Sequence, residues 1–386
     1  MDIALAELIR ISNETGGDPT LVQGGGGNTS VKTADGKYMY IKASGTALKD
    51  MNQKQGWRRM RLDPVLAILK DKSLPKLDAS TREPKVVNML LDACDDNIKT
   101  IARPSVEAHL HACLNTCVIH LHPSAAGAYV NAKNGKARLE KLFKDETLPP
   151  LWVPYTDPGF MLAKRIARLV NSYQDKFGKK PSILFLEKHG LFITSKTASG
   201  ALRLVRSVMK RCSSKLKQPK SGSAKAVEQE KISNFKLCIE RACFQAARKR
   251  TMIWYYYNDA IADFLNQKEA KKMLCGSLTP DEMVYANGAA MWVEKCDSKS
   301  IAGRLKQQIQ KGKKPSAAFL VKDVGLFVAG TEKIAPTVRD IVLYSIFIRT
   351  NANRMGGILT LNKRQEDFIN NWESEAFRKK LASTTK

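Results

Sequence analysis

The sequence predicts an α/β protein with two related domains, and three observations predict it. Helical and strand periodicities alternate along the 386 residues. The segment GKKPSILFLEKHGLFIT at 178–194 is echoed by GKKPSAAFLVKDVGLFVAG at 312–330, and a helical pattern follows each copy, as a duplicated half-domain would leave. Between the copies lies SSKLKQPKSGSA at 213–224, a polar, lysine-rich stretch with a proline and a glycine, which marks a domain boundary. We expect a first domain over 1–212, a linker over 213–224 and a C-terminal domain over 225–386.

Composition narrows the function classes. At 43% apolar and 26% charged residues the chain is of the ordinary folded kind. No apolar run reaches the roughly 18 residues a membrane span needs. The N-terminus MDIALAELIRISNETGG carries Asp2 and Glu7 in place of a basic start, so it reads as an amphipathic helix and not a secretory signal. Eight scattered cysteines read as reduced thiols, not a disulfide framework, and the expected location is the cytoplasm. The net charge of +27 suits small anionic substrates. No basic stripe interleaved with aromatics accompanies it, so nucleic acid is not the expected partner.

The elements follow in order. Ile3, Leu5, Leu8, Ile9 and Ile11 give residues 1–13 a helical face. The glycine run Gly24–Gly27 precedes Asn28, and SVKTADGKYMYIK reads as a hairpin turning at Asp35–Gly36. Four glycines let backbone N–H groups approach an anion, or simply make a flexible turn; this run is neither a Walker A loop nor a G-x-G-x-x-G opening a helix. A small-residue turn at Ser44–Gly45–Thr46 leads to a helix near Leu48. WRRMRL at 57–62 reads as a strand, Asp63–Pro64 as a helix start and EPKVVNMLLDAC as a helix. Residues 106–114 have helical spacing, and CVIHLH at 117–122 alternates as a strand does. FMLAKRIARLVNSYQ is a helix, ILFLEKHGLFIT a strand, SGALRLVRSVMKRC a helix and CIERACFQAARKRTMIWYYYNDAIADFL a long helical pattern.

The chemistry concentrates between Ile101 and Gly127. This stretch holds His109, His111, His120 and His122, four of the five histidines, together with Glu107. His120 and His122 are two apart on a predicted strand and therefore share a face. His189 precedes a glycine at a strand end. Three neutral imidazoles with open positions left over are the ligand pattern of a catalytic metal. Glu107 and His111, spaced i and i+4, share a helix face, so Glu107 is placed as a fourth ligand or a general base. Surface or core placement is the default for His109. Cys113 and Cys117 with the strand histidines form a rival C-x3-C-x2-H-x-H set, whose spacing is tight for tetrahedral closure. The second echo copy has Lys322–Asp323–Val324–Gly325 where the first has Lys188–His189–Gly190, so it lacks the histidine, and no histidine follows position 189.

In order along the chain, GGGGNTSVK, IKASGTALKDM, RPSVEAHLHA, VIHLHP and LEKHGLFIT resemble the class II aldolase/adducin-head family over roughly residues 1–212. The second half, with LTPDEMVY, GLFVAGT and RQEDFINNWESEAFRKK, resembles the extension in the aldolase part of long bacterial rhamnulose-1-phosphate aldolase/dehydrogenase fusions. The dinucleotide fingerprint of the dehydrogenase part does not occur in these 386 residues. The resemblance implies a layered domain with a central, mainly antiparallel sheet flanked by helices. It implies Zn²⁺, or another divalent metal, on His120, His122 and His189, with Glu107 as the catalytic base or proton shuttle. It places substrate phosphate on Gly27, Asn28, Ser44, Gly45 and Ser105; Val106 stands where some family aldolases carry a second hydroxyl. It implies cleavage of a ketose 1-phosphate to dihydroxyacetone phosphate and an aldehyde, a possible homo-oligomer, and a proton-donating tyrosine that no motif locates, with Tyr129 and Tyr155 as candidates. Alternatives are an epimerase, dehydratase or decarboxylase of a sugar (acid) phosphate at the same site, or a non-catalytic adducin-like scaffold.

Overall fold

The computed structural model describes residues 2–96 and 102–372. Ile101, at the head of the histidine-rich stretch, and the end of the RQEDFINNWESEAFRKK motif lie outside the described residues. The chain forms two compact units. The first comprises residues to Val130, Lys136–Lys215 and the chain from Asp367; the second comprises Asn131–Gly135 and Leu216–Glu366. A single cut at 213–224 does not anticipate the exchanged segments.

The first unit opens with α1 (Ile3–Gly16), started by the Asp2 carboxylate, which accepts the Ala4 N–H at 2.8 Å. Then come β1 (Asn28–Lys32), β2 (Tyr38–Lys42), β3 (Trp57–Arg61), α2 (Leu62–Lys70), α3 (Ala79–Asp92), α4 (Ala108–Ala112) and β4 (Cys117–Leu121). Next are α5 (Ser124–Val130), α6 (Gly135–Leu142), β5 (Leu151–Val153), α7 (Phe160–Phe177), β6 (Ile183–Leu186), β7 (Gly190–Ser195) and α8 (Ala198–Ser213). The seven strands make one sheet in the order β3-β2-β1-β4-β7-β6-β5. Every neighbouring pair is antiparallel except β5 with β6.

Strand register sets one row across this sheet. Asn28 lies opposite His120, His120 opposite Phe192, and Phe192 opposite Leu184. Directly opposed residues share a face, so the row is polar at Asn28 and His120 and apolar beyond them. On the apolar side Val118, Leu184 and Phe192 pack with Leu110 of α4 and with Leu162 and Ile166 of α7. The other face takes α1, where Ser12 and Thr29 hydroxyls meet at 2.6 Å, with α8 beside α1. The helix α7 is held at both ends: the buried Glu83 carboxylate accepts the Phe160 N–H at 3.2 Å, and Gly178 ends it in the left-handed conformation at φ +70°.

The second unit carries α9 (Gln229–Ala247), β8 (Ile253–Tyr256), α10 (Asp259–Leu265), α11 (Ala270–Met273), α12 (Pro280–Tyr285) and β9 (Met291–Val293). It continues with α13 (Ser298–Gln310), β10 (Ala318–Val321), β11 (Gly325–Ala329) and α14 (Ala335–Arg354); α15 (Lys363–Asn371) is the last described helix. Its sheet runs β8-β11-β10-β9. The echo reappears as structure. In both units a parallel strand pair (β5 with β6, β9 with β10) leads into a hairpin whose outgoing strand pairs antiparallel with an earlier one.

Four local expectations change. ILFLEKHGLFIT is not one strand but the hairpin β6–β7, with Glu187, Lys188 and His189 as the turn. Lys188 takes φ +54°, a left-handed turn made without the Gly or Asn that would have signalled it. The long helical pattern after 237 is broken by strand β8, because the β-forming IWYY overrides the helical spacing on either side. The helix expected near Leu48 is a single 3₁₀ turn, Leu48–Asp50. The helix over 106–114 is only five residues, with Glu107 at its N-cap position.

Candidate metal centre

His120 is the penultimate residue of β4, and His122 lies one residue past that strand's end. His189 closes the β6–β7 turn, its N–H donating to Leu186 O at 3.1 Å. The ligand nitrogens of these three buried histidines lie within 4.8 Å of one another. Among the described residues no other group of His, Cys, Asp and Glu converges this way; Cys113 and Cys117 are free thiols outside it.

The hydrogen bonds fix what these rings present. His120 Nδ1 lies 3.1 Å from Leu191 O. A carbonyl only accepts, so Nδ1 carries the proton and a neutral His120 turns a bare Nε2 inward. His122 Nε2 lies 3.0 Å from that bare nitrogen. Two lone pairs cannot face each other at that distance, so a proton or a cation belongs between them. Zinc–nitrogen bonds of about 2.0–2.1 Å place tetrahedral ligands about 3.4 Å apart, close to the 3.0 Å between the His120 and His122 nitrogens. The residues therefore fit a divalent metal. Burial pushes the His120 imidazole well below its usual range, outweighing the nearby Glu107, which leaves it neutral as a ligand must be.

Glu107 lies beside the cluster, its carboxylate oxygens 3.5 Å from His120 Nε2 and 3.8 Å from His189 Nε2. Asn28 Nδ2 donates to the same carboxylate at 2.7 Å. Burial raises this carboxyl, while the Asn28 amide, and any positive charge held at His120 and His189, draw it down.

Close packing holds the rings. His120 stacks on Phe192 with centroids 4.0 Å apart and planes 12° from parallel. A Cβ on Gly190 would sit 2.6 Å from Leu121 O and 2.7 Å from His122 Cδ2, so only glycine leaves room for that imidazole. Gly27 is at φ +61°, and its missing Cβ would fall 2.7 Å from His120 O.

The family model described as Class II Aldolase and Adducin N-terminal domain matches residues 6–216. The chain belongs to this family. A relative in Bacillus subtilis (strain 168), described as the uncharacterized oxidoreductase YuxG, is 23% identical over 421 residues. That match takes in 97% of this chain, which spans 58% of that relative's length. Among solved structures, the N-terminal class II aldolase domain of a conserved protein from Thermoplasma acidophilum is similar at 29% identity and a TM-score of 0.45, covering 55% of this chain and 94% of that one. The L-fuculose-1-phosphate aldolase of Thermus thermophilus is similar at 14% identity and a TM-score of 0.33, covering 54% and 92%.

In this class II aldolase/adducin family chain, the turns around Gly27–Asn28, Ser44–Gly45 and Ser105 lie side by side. Ser44 N–H donates to Arg103 O at 2.8 Å, Ser44 Oγ to Pro104 O at 3.1 Å, and Ser105 Oγ accepts the Glu107 N–H at 3.3 Å. His111 does not join the three histidines: its Nδ1 pairs with Ser30 Oγ at 2.8 Å, while its Nε2 and both nitrogens of His109 are buried without hydrogen-bond partners. Tyr129 donates to Cys212 O at 3.0 Å in the core. Tyr155 lies under the Lys188 ammonium, 5.3 Å from its ring centroid. Sequence reasoning missed Phe192, Gly190 and the Leu191 carbonyl, which support the histidines.

The second unit shows the same frame without the ligands. Aligning Gly190 with Gly325 puts Phe327 at the place of Phe192, and its cross-strand partner Tyr255 at the place of His120. Tyr257 then corresponds to His122 and Val324 to His189. The turn is the same, with Asp323 at φ +58° and Val324 N–H donating to Val321 O at 3.1 Å. Val324 is core, and the Tyr255 hydroxyl donates to its carbonyl at 2.8 Å.

Proposed function

We propose that the first unit is a divalent-metal-dependent aldolase cleaving a ketose 1-phosphate of the rhamnulose or fuculose type to dihydroxyacetone phosphate and an aldehyde. The observation that carries this reading is the convergence of His120, His122 and His189 with the Glu107 carboxyl group, which lies within 4 Å of two of them. His120, His122 and His189 would hold the cation, Zn²⁺ by the chemistry of the donor set. When bound, a divalent cation supplies the positive charge that stabilises electron density developing beside a ketone.

The chain's own residues do the rest. Leu191 O and Phe192 fix the His120 ring. Glu107 takes the proton from the hydroxyl on the carbon beyond the breaking bond; that carbon becomes the aldehyde, the bonding pair passes to the carbon next to the ketone, and Glu107 returns the proton to that carbon. Asn28 orients the carboxylate for this transfer. The turns at Gly27, Asn28, Ser44, Gly45 and Ser105 would hold the phosphate, and fixing that distant end aligns the reacting carbons.

The test is a ketose 1-phosphate panel with zinc-loaded protein. Dihydroxyacetone phosphate is the expected product; epimers, dehydration products or carbon dioxide from a sugar (acid) phosphate would replace the aldolase reading with another reaction of the same site. Glu107→Gln is expected to lower kcat by about 10²–10⁴-fold while zinc stays bound. Unchanged turnover would remove Glu107 from its role.

A further inference from the structure

We propose that Cys238 and Cys296 are a redox-modification site, at which the two thiols close to a reversible disulfide tying α9 to the segment that leads into α13. Both belong to the second unit, and both are free thiols. Cys238 is 6% exposed and belongs to the core cluster that holds Phe235, Ile239 and Ile301. Cys296 is exposed, in the short connection between β9 and α13.

The fold brings the pair together from positions that 57 residues separate. Cys296 Sγ donates to Asn234 O at 3.4 Å. Asn234 precedes Cys238 by one helical turn, and helix side chains lean over the turn before their own Cα. The Cys238 thiol is therefore aimed at the place where Cys296 Sγ lies, and the two side chains share a hydrogen bond. The connection is held in that position. Asp297 N–H donates to Lys295 O at 2.9 Å, and the Asp297 carboxylate accepts the Lys299 and Ser300 N–H groups at 3.0 and 3.2 Å. A thiol is a weak donor, so little is lost when Cys296 leaves Asn234 O for Cys238.

The two sulfurs have different parts. Burial, and next the contact with Cys296, push the Cys238 thiol up to about 12, which keeps it protonated and away from solutes. Exposed Cys296 meets the oxidant, a small-molecule disulfide. Its thiolate attacks one sulfur of that disulfide; the S–S bond breaks, and the thiolate that leaves takes up the proton Cys296 gave to water. Cys238 then releases its own proton and attacks Cys296 Sγ. The mixed disulfide breaks, and the second small thiolate leaves and takes up that proton. Two protein thiols have lost two electrons and two protons, and the oxidant has become two thiols. An excess of small thiol reverses both steps. The bond closes a long loop in the unfolded chain, so the linked form is the more stable one.

The site is independent of the activity proposed above, and its test needs no turnover. The purified full chain is equilibrated with glutathione disulfide and reduced glutathione at a series of ratios, then alkylated and mapped by peptide mass. Wild-type protein is expected to go from eight alkylated cysteines to six, with the peptides bearing Cys238 and Cys296 linked. Its melting temperature is expected to rise by about 4 °C or more and to return on adding reduced glutathione. Cys238→Ser is expected to keep glutathione on Cys296 without further exchange. Cys275→Ser, which removes another exposed thiol, is expected to link as wild type.

No linked peptide at any ratio overturns the proposal, as does a wild type that stops at glutathione on Cys296. A link from Cys296 to any other cysteine overturns it, as does an equal or lower melting temperature in the linked chain. If Cys238→Ser does not melt cooperatively, Cys238→Ala takes its place, and an internal disulfide at Cys296 in that variant has the same consequence.

Discussion

A single absent methyl group decides whether His122 has room. The Cβ that Gly190 lacks would overlap both Leu121 O and the His122 ring, and neither backbone nor imidazole can yield without moving a candidate ligand. Gly190→Ala is therefore expected to weaken zinc binding by about tenfold or more, read by competition with a chelator; unchanged affinity would show that the ring has slack. His109 poses a different residue-scale question. Both its nitrogens are buried without partners, its ring lies stacked on Phe160, and burial pushes its pKa down to about 4 against the opposing pull of Glu107. Burial likewise pushes His111 down to about 3. Unfolded histidine titrates near about 6.5, so the unfolded chain takes up protons first as pH falls. The stability these neutral rings contribute is complete above about pH 6.5 and is lost progressively toward pH 4 and 3. A urea midpoint that falls between pH 7.5 and 5 is the expected result, and a flat profile would contradict it. His109→Leu is expected to reduce that slope and to raise stability at pH 7.5 by about 1 kcal/mol, since an unsatisfied polar ring is replaced by an apolar side chain.

At the scale of elements, the two hairpins β6–β7 and β10–β11 show how one turn geometry serves two ends. Both reverse the chain through a left-handed residue and return on a glycine that opens the outgoing strand. In the first, the residue before that glycine is a candidate ligand; in the second, it is a buried valine. The helices of the second unit depend on a different device. Arg349 of α14 is fully buried and donates to Glu282 of α12 at 3.0 and 3.1 Å, to Ser345 Oγ at 2.9 Å and to the carbonyls of Met273 and Gly276 at 2.6 Å. Glu282 also accepts the Leu278 N–H at 2.6 Å, just ahead of its own helix. Removing one partner leaves a buried charge uncompensated, so Glu282→Gln is expected to cost about 3–5 kcal/mol of second-unit stability by denaturant titration. A loss below about 1 kcal/mol would mean that the backbone carbonyls alone satisfy Arg349.

At the scale of the whole molecule, the two units divide the chemistry unevenly. All three candidate ligands, Glu107 and the proposed phosphate turns lie in the first, while Tyr255, Tyr257 and Val324 occupy the equivalent places in the second. Elemental analysis of the purified chain is therefore expected to find one zinc per chain, and none after His122→Ala. Two per chain, or metal retained in the variant, would move the site elsewhere.

Several features were open to reading along the chain. The His-x-His pair at 120 and 122, the lone His189 before a glycine, Glu107 within the same short stretch, and the repeated GKKPS segment are local patterns, and local patterns survive without coordinates. The alternation that gives β4 and the spacing that gives α7 are of the same kind, because each depends only on which residues must be hidden. Sequence alone thus determined the family resemblance, the kinds of element and the residue types available for metal chemistry. The tertiary structure decided which of those residues meet. Strand order placed β1, β4 and β7 side by side, so Asn28, His120 and Phe192 fell into one row, while His111, equally suitable by type, was directed to Ser30. It also decided that the Lys42 ammonium meets the carbonyls of Gly25 and Gly27 and that Gly190 must lack a side chain. Cross-strand pairing joins residues far apart in the chain, and no periodicity within a segment encodes its neighbour's register.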